Sequence, residues 1–303
     1  MIDWIAACPQ CRTSIGQLSG ERVTCSSCIH NYRHIAGIWH LVRREDESTV
    51  DRFLEDYTAI RRAEGRGSDS PDYYRLLPEP TPGDPLAWQW AMRAATWSHV
   101  VRRVLPTLGP GLRVLDLGAG VGWLSNRMSL LGHVPVAIDL SVDDRDGLGA
   151  ARHFGADWLR VRAEFDHLPL ADAQVDLVVF NASFHYSTDY TATLTEARRV
   201  LRPGGHVLIL DSPVYRHDAS GQRMVAERHA DFERRFGTRS DTVAAVEYLT
   251  EEMLTYLSSD LGISWSRSIA NYGWRWRLRR FKARLRRTRE PSRFITLLGR
   301  FAD

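Results

Sequence analysis

Two groups of side chains in this 303-residue sequence have types and spacings that imply chemistry. The first comprises all four cysteines, in Cys8-Pro9-Gln10-Cys11 and Cys25-Ser26-Ser27-Cys28, a C-x2-C, x13, C-x2-C pattern. Two such knuckles can set four thiolates at the corners of a tetrahedron, the geometry zinc prefers. A closed four-thiolate shell leaves no position for substrate, so the expected role is structural: it folds a segment too small to bury its own core. Disulfides are the competing reading, disfavoured in a cytoplasmic chain. His30 and His34 lie just beyond a complete shell and are expected to be surface or packing residues.

The second group begins at the glycine loop Asp116-Leu117-Gly118-Ala119-Gly120-Val121-Gly122. Missing side chains there let a backbone approach a ligand closely. A dinucleotide site would need a further glycine where Trp123 stands, and an acid just before the glycines would repel a pyrophosphate. S-adenosylmethionine (SAM) has no phosphate and presents an ammonium group, which suits Asp116. Asp139 follows Gly120 by nineteen residues, where a carboxylate can accept both ribose hydroxyls.

Positioning these groups requires an α/β frame. From Leu112 onward short apolar runs alternate with helical segments, which predicts a parallel sheet with helices on both faces. Strands are expected at about 112–117, 134–140, 158–162, 175–180 and 206–211. Ligands of such sheets sit beyond the carboxyl ends of the strands, and the informative residues do follow strands. Ile263–Ala270 and Phe294–Leu298 fit a closing antiparallel hairpin, completing seven strands. We expect three parts: a zinc ribbon over 1–42, a helical linker or cap over 43–111, and the catalytic domain over 112–303. Within 43–111, residues 45–62 read as a helix with Val50, Phe53, Leu54, Tyr57 and Ile60 on one face. Residues 86–108 read as a longer helix whose Trp88, Trp90 and Trp97 are expected in the core. A helical lid is expected over 213–262, with helices from Gln222 to Phe236 and from Thr250 to Gly262.

In order along the chain come the glycine loop, Asp139-Leu140, Glu164-Phe165 ahead of Leu168-Pro169, Asn181 after the fourth strand, and Arg202-Pro203-Gly204-Gly205 before the fifth. This series, over roughly 112–211, resembles class I SAM-dependent methyltransferases of the group that includes the ubiquinone and menaquinone C-methyltransferases. The resemblance implies that Gly118, Gly120 and Gly122 pack against the methionine part of SAM and that Asp139 holds the ribose. It further implies that Glu164 receives the adenine amino group, that Leu140 and Phe165 flank the ring, and that Asn181 offers its backbone to the ammonium. Glutamate stands at 164 where the family more often has aspartate. The first 42 residues or so, with Tyr32 and Ala36-Gly37-Ile38-Trp39, resemble the small zinc-ribbon proteins that bind and activate methyltransferases, and also the ribbon preceding some rRNA guanine methyltransferases.

Methyl transfer from a sulfonium chiefly requires alignment of a nucleophile, and a base only where that nucleophile must lose a proton. With every cysteine assigned to zinc, none remains for covalent cytosine C5 methylation. Asn181-Ala182-Ser183-Phe184 departs from the Asn/Asp-Pro-Pro-aromatic motif of enzymes acting on exocyclic base amines. His185 and Tyr186, after the fourth strand, are the first candidates to meet the acceptor, His185 as base or orienting group. Asp211, with Ser212 and Tyr215, follows the fifth strand and shares that location. His99 and His217 have no assigned role.

The acceptor is left to charge. Residues 274–289 hold nine of the 40 Lys and Arg and no acid, which leaves 31 basic against 37 acidic residues elsewhere. Trp274, Leu278, Phe281 and Leu285 share one helical face of this stretch, so 274–290 is expected to form a basic amphipathic insertion beside the substrate entrance. Three uses compete: docking an anionic, small or lipid-linked acceptor; gripping RNA phosphates; or packing the apolar stripe onto the lid. A SAM-binding partner or scaffold without turnover is the alternative of another kind. No run approaches the ~18 apolar residues of a membrane span. The start, Met1-Ile2-Asp3-Trp4, lacks a secretory pattern, so a cytoplasmic location is expected.

Overall fold

The computed structural model describes residues 4–155, 157–239, 244–279, 283, 285 and 288–302, without the side chains of Arg275 and Arg277. Short strands β1 (Ala6–Ala7) and β2 (Ser14–Gly16) carry the first cysteine knuckle between them, and β3 (Arg22–Thr24), β4 (Asn31–Ile35) and β5 (Ile38–His40) surround the second. The central strands are β6 (Arg113–Leu117), β7 (Val134–Asp139), β8 (Leu159–Arg162), β9 (Val175–Asn181) and β10 (Leu201–Leu210). Small pairings follow in β11 (Pro213–Tyr215), β12 (Leu249–Thr250) and β14 (Arg293–Phe294), while β13 (Ile263–Ser268) and β15 (Thr296–Phe301) close the large sheet.

The five central strands are near-continuous apolar runs, as a sheet covered on both faces requires. They align in parallel in the order β8-β7-β6-β9-β10, and β15 and β13 add antiparallel beyond β10. This is the Rossmann-like methyltransferase fold, with the expected closing hairpin. β10 starts earlier than the sequence pattern predicts, at Leu201, because Leu201 already pairs with Val175 ahead of the irregular Pro203-Gly204-Gly205 stretch. Phe294, expected in the closing hairpin, instead pairs with Pro213 in the small sheet.

On the opposite edge, β5 pairs in parallel with β8, matching Trp39 to Val161 and His40 to Arg162. β4 and β3 continue outward, so the cysteine-bearing segment extends the sheet to ten strands. Cys8, Cys25, Tyr32, Trp39 and Leu41 consequently belong to the same apolar cluster as Val136, Ile138 and Val161.

The helix Glu47–Ala63 buries Val50 and Ile60. The helix Ala87–His99 passes into a wider π turn over Val100–Val104, two residues ahead of Pro106, which cannot donate a backbone hydrogen bond. Trp90 is buried there and Trp97 half-buried against Trp123, but Trp88 is 64% exposed, a correction to the tryptophan stripe. Two residues along a helix is a turn of about 200°, so Trp88 and Trp90 cannot share a face. The lid helix Asp218–Phe236 brings Arg228, Asp231, Phe232 and Arg235 to the carboxyl ends of the strands, whereas the helix Glu251–Leu261, expected in the lid, packs against β13 and the helix Tyr190–Val200 instead. Of the amphipathic insertion, Trp274–Arg277 is helical. Phe281 lies outside the described residues.

Candidate functional site

A cavity of about 590 Å³ opens beyond the carboxyl ends of β6, β7, β8 and β9. Its floor begins at the glycine loop. Gly118 has φ +73° and lies so close to Ser183 that any Cβ there would overlap it. Gly120, at φ +55°, donates its N–H to Asp139 Oδ2 at 2.7 Å. Ser141 N–H donates to Asp139 Oδ1 at 2.8 Å, so two backbone donors fix that carboxylate at the end of β7. Burial is the largest influence on Asp139 and raises its pKa.

Leu140, Glu164 and Phe165 form one end of the cavity, with Phe165 edge-on to Phe180 at 5.6 Å between centroids. The Glu164 carboxyl is pushed up to about 7, first by burial and then by Asp46 and Asp166. Its Oε2 has no hydrogen-bond partner among the described residues, with Arg43 Nε 3.9 Å away. That oxygen is buried on the Arg43 side, while the residue itself lines the cavity. Asn181, His185 and Tyr186 line the other end.

Two predicted cofactor residues stand behind the wall rather than on it. Asp116 is fully buried beneath the loop, where Oδ2 accepts from Ser125 N–H at 3.1 Å and from Ser125 Oγ at 2.7 Å. It ties the strand end to the first turn of the helix Trp123–Leu130, and burial pushes its pKa up to about 7. The expectation that its charge faces a ligand ammonium is therefore corrected. Gly122 caps that same helix and lies against Trp158.

Asp211 is also corrected: it faces Thr96, whose hydroxyl donates to it at 2.6 Å, and Tyr272, not the cavity. His185 keeps its place. Its Nδ1 lies 3.3 Å from Ser212 Oγ, and its pKa is lowered to about 3 by burial, then by Arg228 and Arg93. Ser212 thus acts behind His185, and Tyr215 belongs to a neighbouring groove. His99 bonds Ser268, remote from the site.

Several lining residues went unassigned in the sequence. Phe53, Leu54, Tyr57 and Arg61 come from the helix Glu47–Ala63, whose apolar stripe reads as ordinary core. Gln89, Trp90 and Arg93 come from the helix Ala87–His99, and Arg228 and Glu247 from the lid and the segment after it. The available signal was an arginine one turn after an aromatic, Tyr57 with Arg61 and Gln89-Trp90 with Arg93. Arg61 lies 5.0 Å from the Tyr57 ring centre and Arg93 4.6 Å from that of Trp90.

A second groove of about 630 Å³ shares His185, Arg228 and Glu247 with the cavity. Tyr215, Arg279 and Arg289 line its far side. Arg279 lies 3.7 Å from the Trp276 ring centre, and Arg289 bonds Glu227 and the Tyr215 hydroxyl, each at 2.9 Å.

Apart from both lies the cysteine cluster, whose four sulfurs all fall within 4.8 Å of one another. Cys8 and Cys28 are 3.6 Å apart and Cys11 and Cys25 3.5 Å, far beyond the ~2.05 Å of a disulfide. Those separations approach the ~3.8 Å edge of a tetrahedron built on ~2.3 Å zinc–sulfur bonds. Each knuckle closes with a backbone bond, Arg12 N–H to Cys8 O at 2.8 Å and Ile29 N–H to Cys25 O at 3.0 Å. The expected outer histidines take no part: His34 is exposed and stacks on Trp39.

Comparison with known proteins agrees with this geometry. Residues 115–209 match the family model described as a methyltransferase domain. A malonyl-[acyl-carrier protein] O-methyltransferase of Erwinia pyrifoliae is 39% identical over 108 residues, 35% of this chain and 40% of that protein. A demethylmenaquinone methyltransferase of Mycobacterium marinum is 34% identical over 115 residues, 38% of this chain and 47% of that protein. The chain thus spans less than half the length of the curated relatives it matches. The crystal structure of the YcgJ protein from Bacillus subtilis superposes with a TM-score of 0.50 at 14% identity, covering 70% of this chain and 99% of that one. The sequence matches give the middle of the chain as a class I SAM-dependent methyltransferase domain, and the superposition gives its fold.

Proposed function

We propose that this protein is a methyltransferase that passes the methyl group of SAM to an O, N or C nucleophile of a small or lipid-linked acceptor bearing negative charge. The observation that carries this reading is the continuity of the site. One cavity runs from Glu164 and Phe165, past Asp139 and the glycine loop, to His185 and Tyr186. SAM fits the groups present: the Glu164 carboxyl accepting from the adenine amino group, Asp139 accepting from the ribose, and the glycine loop, bare of side chains, lying along the methionine part. Bound there, SAM supplies an activated methyl group.

A histidine with a pKa near 3 is a weak general base at neutral pH, so His185 serves better to orient the acceptor. That favours a nucleophile needing little help to lose a proton, such as a carboxylate oxygen. The second groove meets the cavity at His185 and gives an acceptor tail a path lined by Arg279 and Arg289. Trp274, Leu278 and Leu285, 66%, 40% and 75% exposed, add apolar surface near that path, which suits a lipid-linked tail better than stripe-on-lid packing. RNA is the second reading, resting on the basic segment. Among the described residues, however, Arg279 and Arg289 are turned onto Trp276, Tyr215 and Glu227. The acceptors in the relatives' names, malonyl-acyl-carrier protein and demethylmenaquinone, point the same way.

We also propose that Cys8, Cys11, Cys25 and Cys28 hold one structural zinc ion, which cross-links the two knuckles. Metal analysis is expected to find one zinc per chain.

The deciding experiment incubates the protein with methyl-labelled SAM and fractionated cell extract. Label in lipid or small metabolites supports the proposal. Label in RNA, with binding that weakens steeply as salt rises, replaces it with the second reading. Calorimetric binding of S-adenosylhomocysteine without any transfer favours a scaffold. Asp139→Ala is expected to weaken that binding by about a hundredfold, the worth of two hydrogen bonds to a charged group.

A further inference from the structure

The cavity and the second groove meet at His185, Arg228 and Glu247. Among the described residues Arg228 is the one arginine common to both. It projects from the lid helix Asp218–Phe236, and after burial its charge is the largest influence on His185. An acceptor lying in the groove with its reactive end at His185 therefore passes beside the Arg228 guanidinium.

Arg228 is paired, yet its partner does not depend on it. Arg228 Nη2 meets Glu247 Oε1 at 2.5 Å, while its Nε is buried with no hydrogen-bond partner among the described residues. His229 Nε2 lies 2.9 Å from the same Oε1, so Glu247 keeps a hydrogen-bond partner when Arg228 turns away. Glu247 is also fixed through its backbone, whose N–H donates to His185 O at 2.7 Å. It stands at φ +73°, a left-handed conformation uncommon for a residue with a side chain. Such strain persists where the surroundings over-determine it, and it collects at ligand-binding sites. The two side chains differ in access: Arg228 is 26% exposed and Glu247 5%, so a ligand arriving from either side meets the cation first.

The chemistry at this corner selects the nucleophile. His185, with a pKa near 3, is a poor base at neutral pH, and Glu247 is already engaged by Arg228 and His229. A hydroxyl or a carbon acid would have to lose a proton to such groups, and a protonated amine would be repelled by Arg228. A carboxylate has already lost its proton and matches the guanidinium fork.

We infer that the acceptor's nucleophile is a carboxylate seated on Arg228, which makes Arg228 the residue that selects the acceptor and a methyl ester the product. This deepens the function proposed above and rests on its SAM reading. One carboxylate oxygen stays on Arg228 while the other forms the bond to the methyl carbon. The carbon–sulfur bond breaks with its electron pair passing to sulfur, which becomes the neutral thioether of S-adenosylhomocysteine. No proton has to move. The ester is neutral and no longer pairs with Arg228, which returns to Glu247 and so loosens the product.

The test incubates the wild type, Arg228→Gln and Arg228→Lys with methyl-labelled SAM and fractionated cell extract, and treats the labelled product with mild alkali. A methyl ester releases its label as volatile methanol, whereas ether, N-methyl and C-methyl products keep it. Methanol release is expected from the wild-type product, with transfer reduced about ten- to a hundredfold in Arg228→Gln and by less in Arg228→Lys. Calorimetric affinity for S-adenosylhomocysteine is expected to stay within twofold in both variants, which controls for folding. Label that survives alkali overturns the inference, as does base-released label that Arg228→Gln transfers as well as the wild type. Loss of S-adenosylhomocysteine binding along with transfer in both variants overturns it in favour of a packing role. A wild type that binds no S-adenosylhomocysteine, or binds it and transfers nothing, overturns the reading beneath the inference, so the two failures are distinguishable.

Discussion

The two ends of the ten-stranded sheet carry additions to the same fold, and the chain treats them in opposite ways. At the β3 end, a segment of some forty residues with little core of its own is bonded into the sheet. β5 pairs with β8, Leu41 N–H donates to Arg162 O at 2.9 Å, and Ala171 N–H donates to Ile5 O at 2.9 Å. Arg12, inside the first knuckle, reaches Glu196 on the far side of the loop that carries Glu164 and Phe165. Cys8 and Cys25 are fully buried. At the β13 end, the connection to β15 carries charge and aromatics outward, with Trp274 and Leu285 mostly exposed. A weak segment is stable where it borrows both backbone partners and core from its neighbour. One tied down through a few side chains, as Trp276 on Phe294 and Arg289 on Glu227, leaves apolar surface for docking.

The largest test of that contrast is at the cysteines. The double variant Cys8→Ser, Cys25→Ser removes two buried thiols and half the proposed zinc shell. A loss of about 4 kcal/mol, the sum of two buried-site losses of ~2 kcal/mol each, corresponds to roughly 6 °C in Tm for a chain of this size. Thermal melting with and without a chelator measures it. An unchanged Tm breaks the claim that this end is integral to the sheet.

A smaller effect concerns Glu164, beside the β8 edge. With its carboxyl raised to about 7, the free protein holds it mostly protonated at pH 6 and mostly ionised at pH 8. An adenine amino group donating to the carboxylate binds the ionised form and lowers that pKa. S-adenosylhomocysteine affinity is therefore expected to rise by about three- to tenfold between pH 6 and 8 and to level off above. Glu164→Gln is expected to flatten this rise. A calorimetric profile that stays pH-dependent in the variant assigns the titration to another group.

The smallest structural effect is expected at the other end. Trp274→Ser with Leu285→Ser leaves Tm within about 2 °C, because surface substitutions cost within ~0.5 kcal/mol each. Turnover of a lipid-linked acceptor, in contrast, is expected to fall severalfold. A large drop in Tm shows instead that this stripe is packed, and the contrast between the two ends then disappears.

The sequence by itself determined what local chemistry can encode. Alternating apolar runs specified the parallel strands, because a buried strand has no polar face to spare. The glycines, Asp139, Leu140, Glu164, Phe165 and Asn181 each follow a strand end, and strand ends are where such sheets place ligands. The cysteine spacing likewise encoded a four-sulfur cluster. Only the tertiary structure decided which way a side chain faces once its element is packed. Asp116 and Asp139 both end strands, yet Asp116 is drawn beneath the loop by Ser125 while Asp139 is held at the cavity by two backbone N–H groups. Arg61 and Arg93 are each one helical turn past an aromatic residue, yet one meets Asp146 and the other meets no acid among the described residues. The joining of β5 to β8 was likewise invisible in the sequence, since strand pairing across more than a hundred residues depends on which edge remains open after the core has formed.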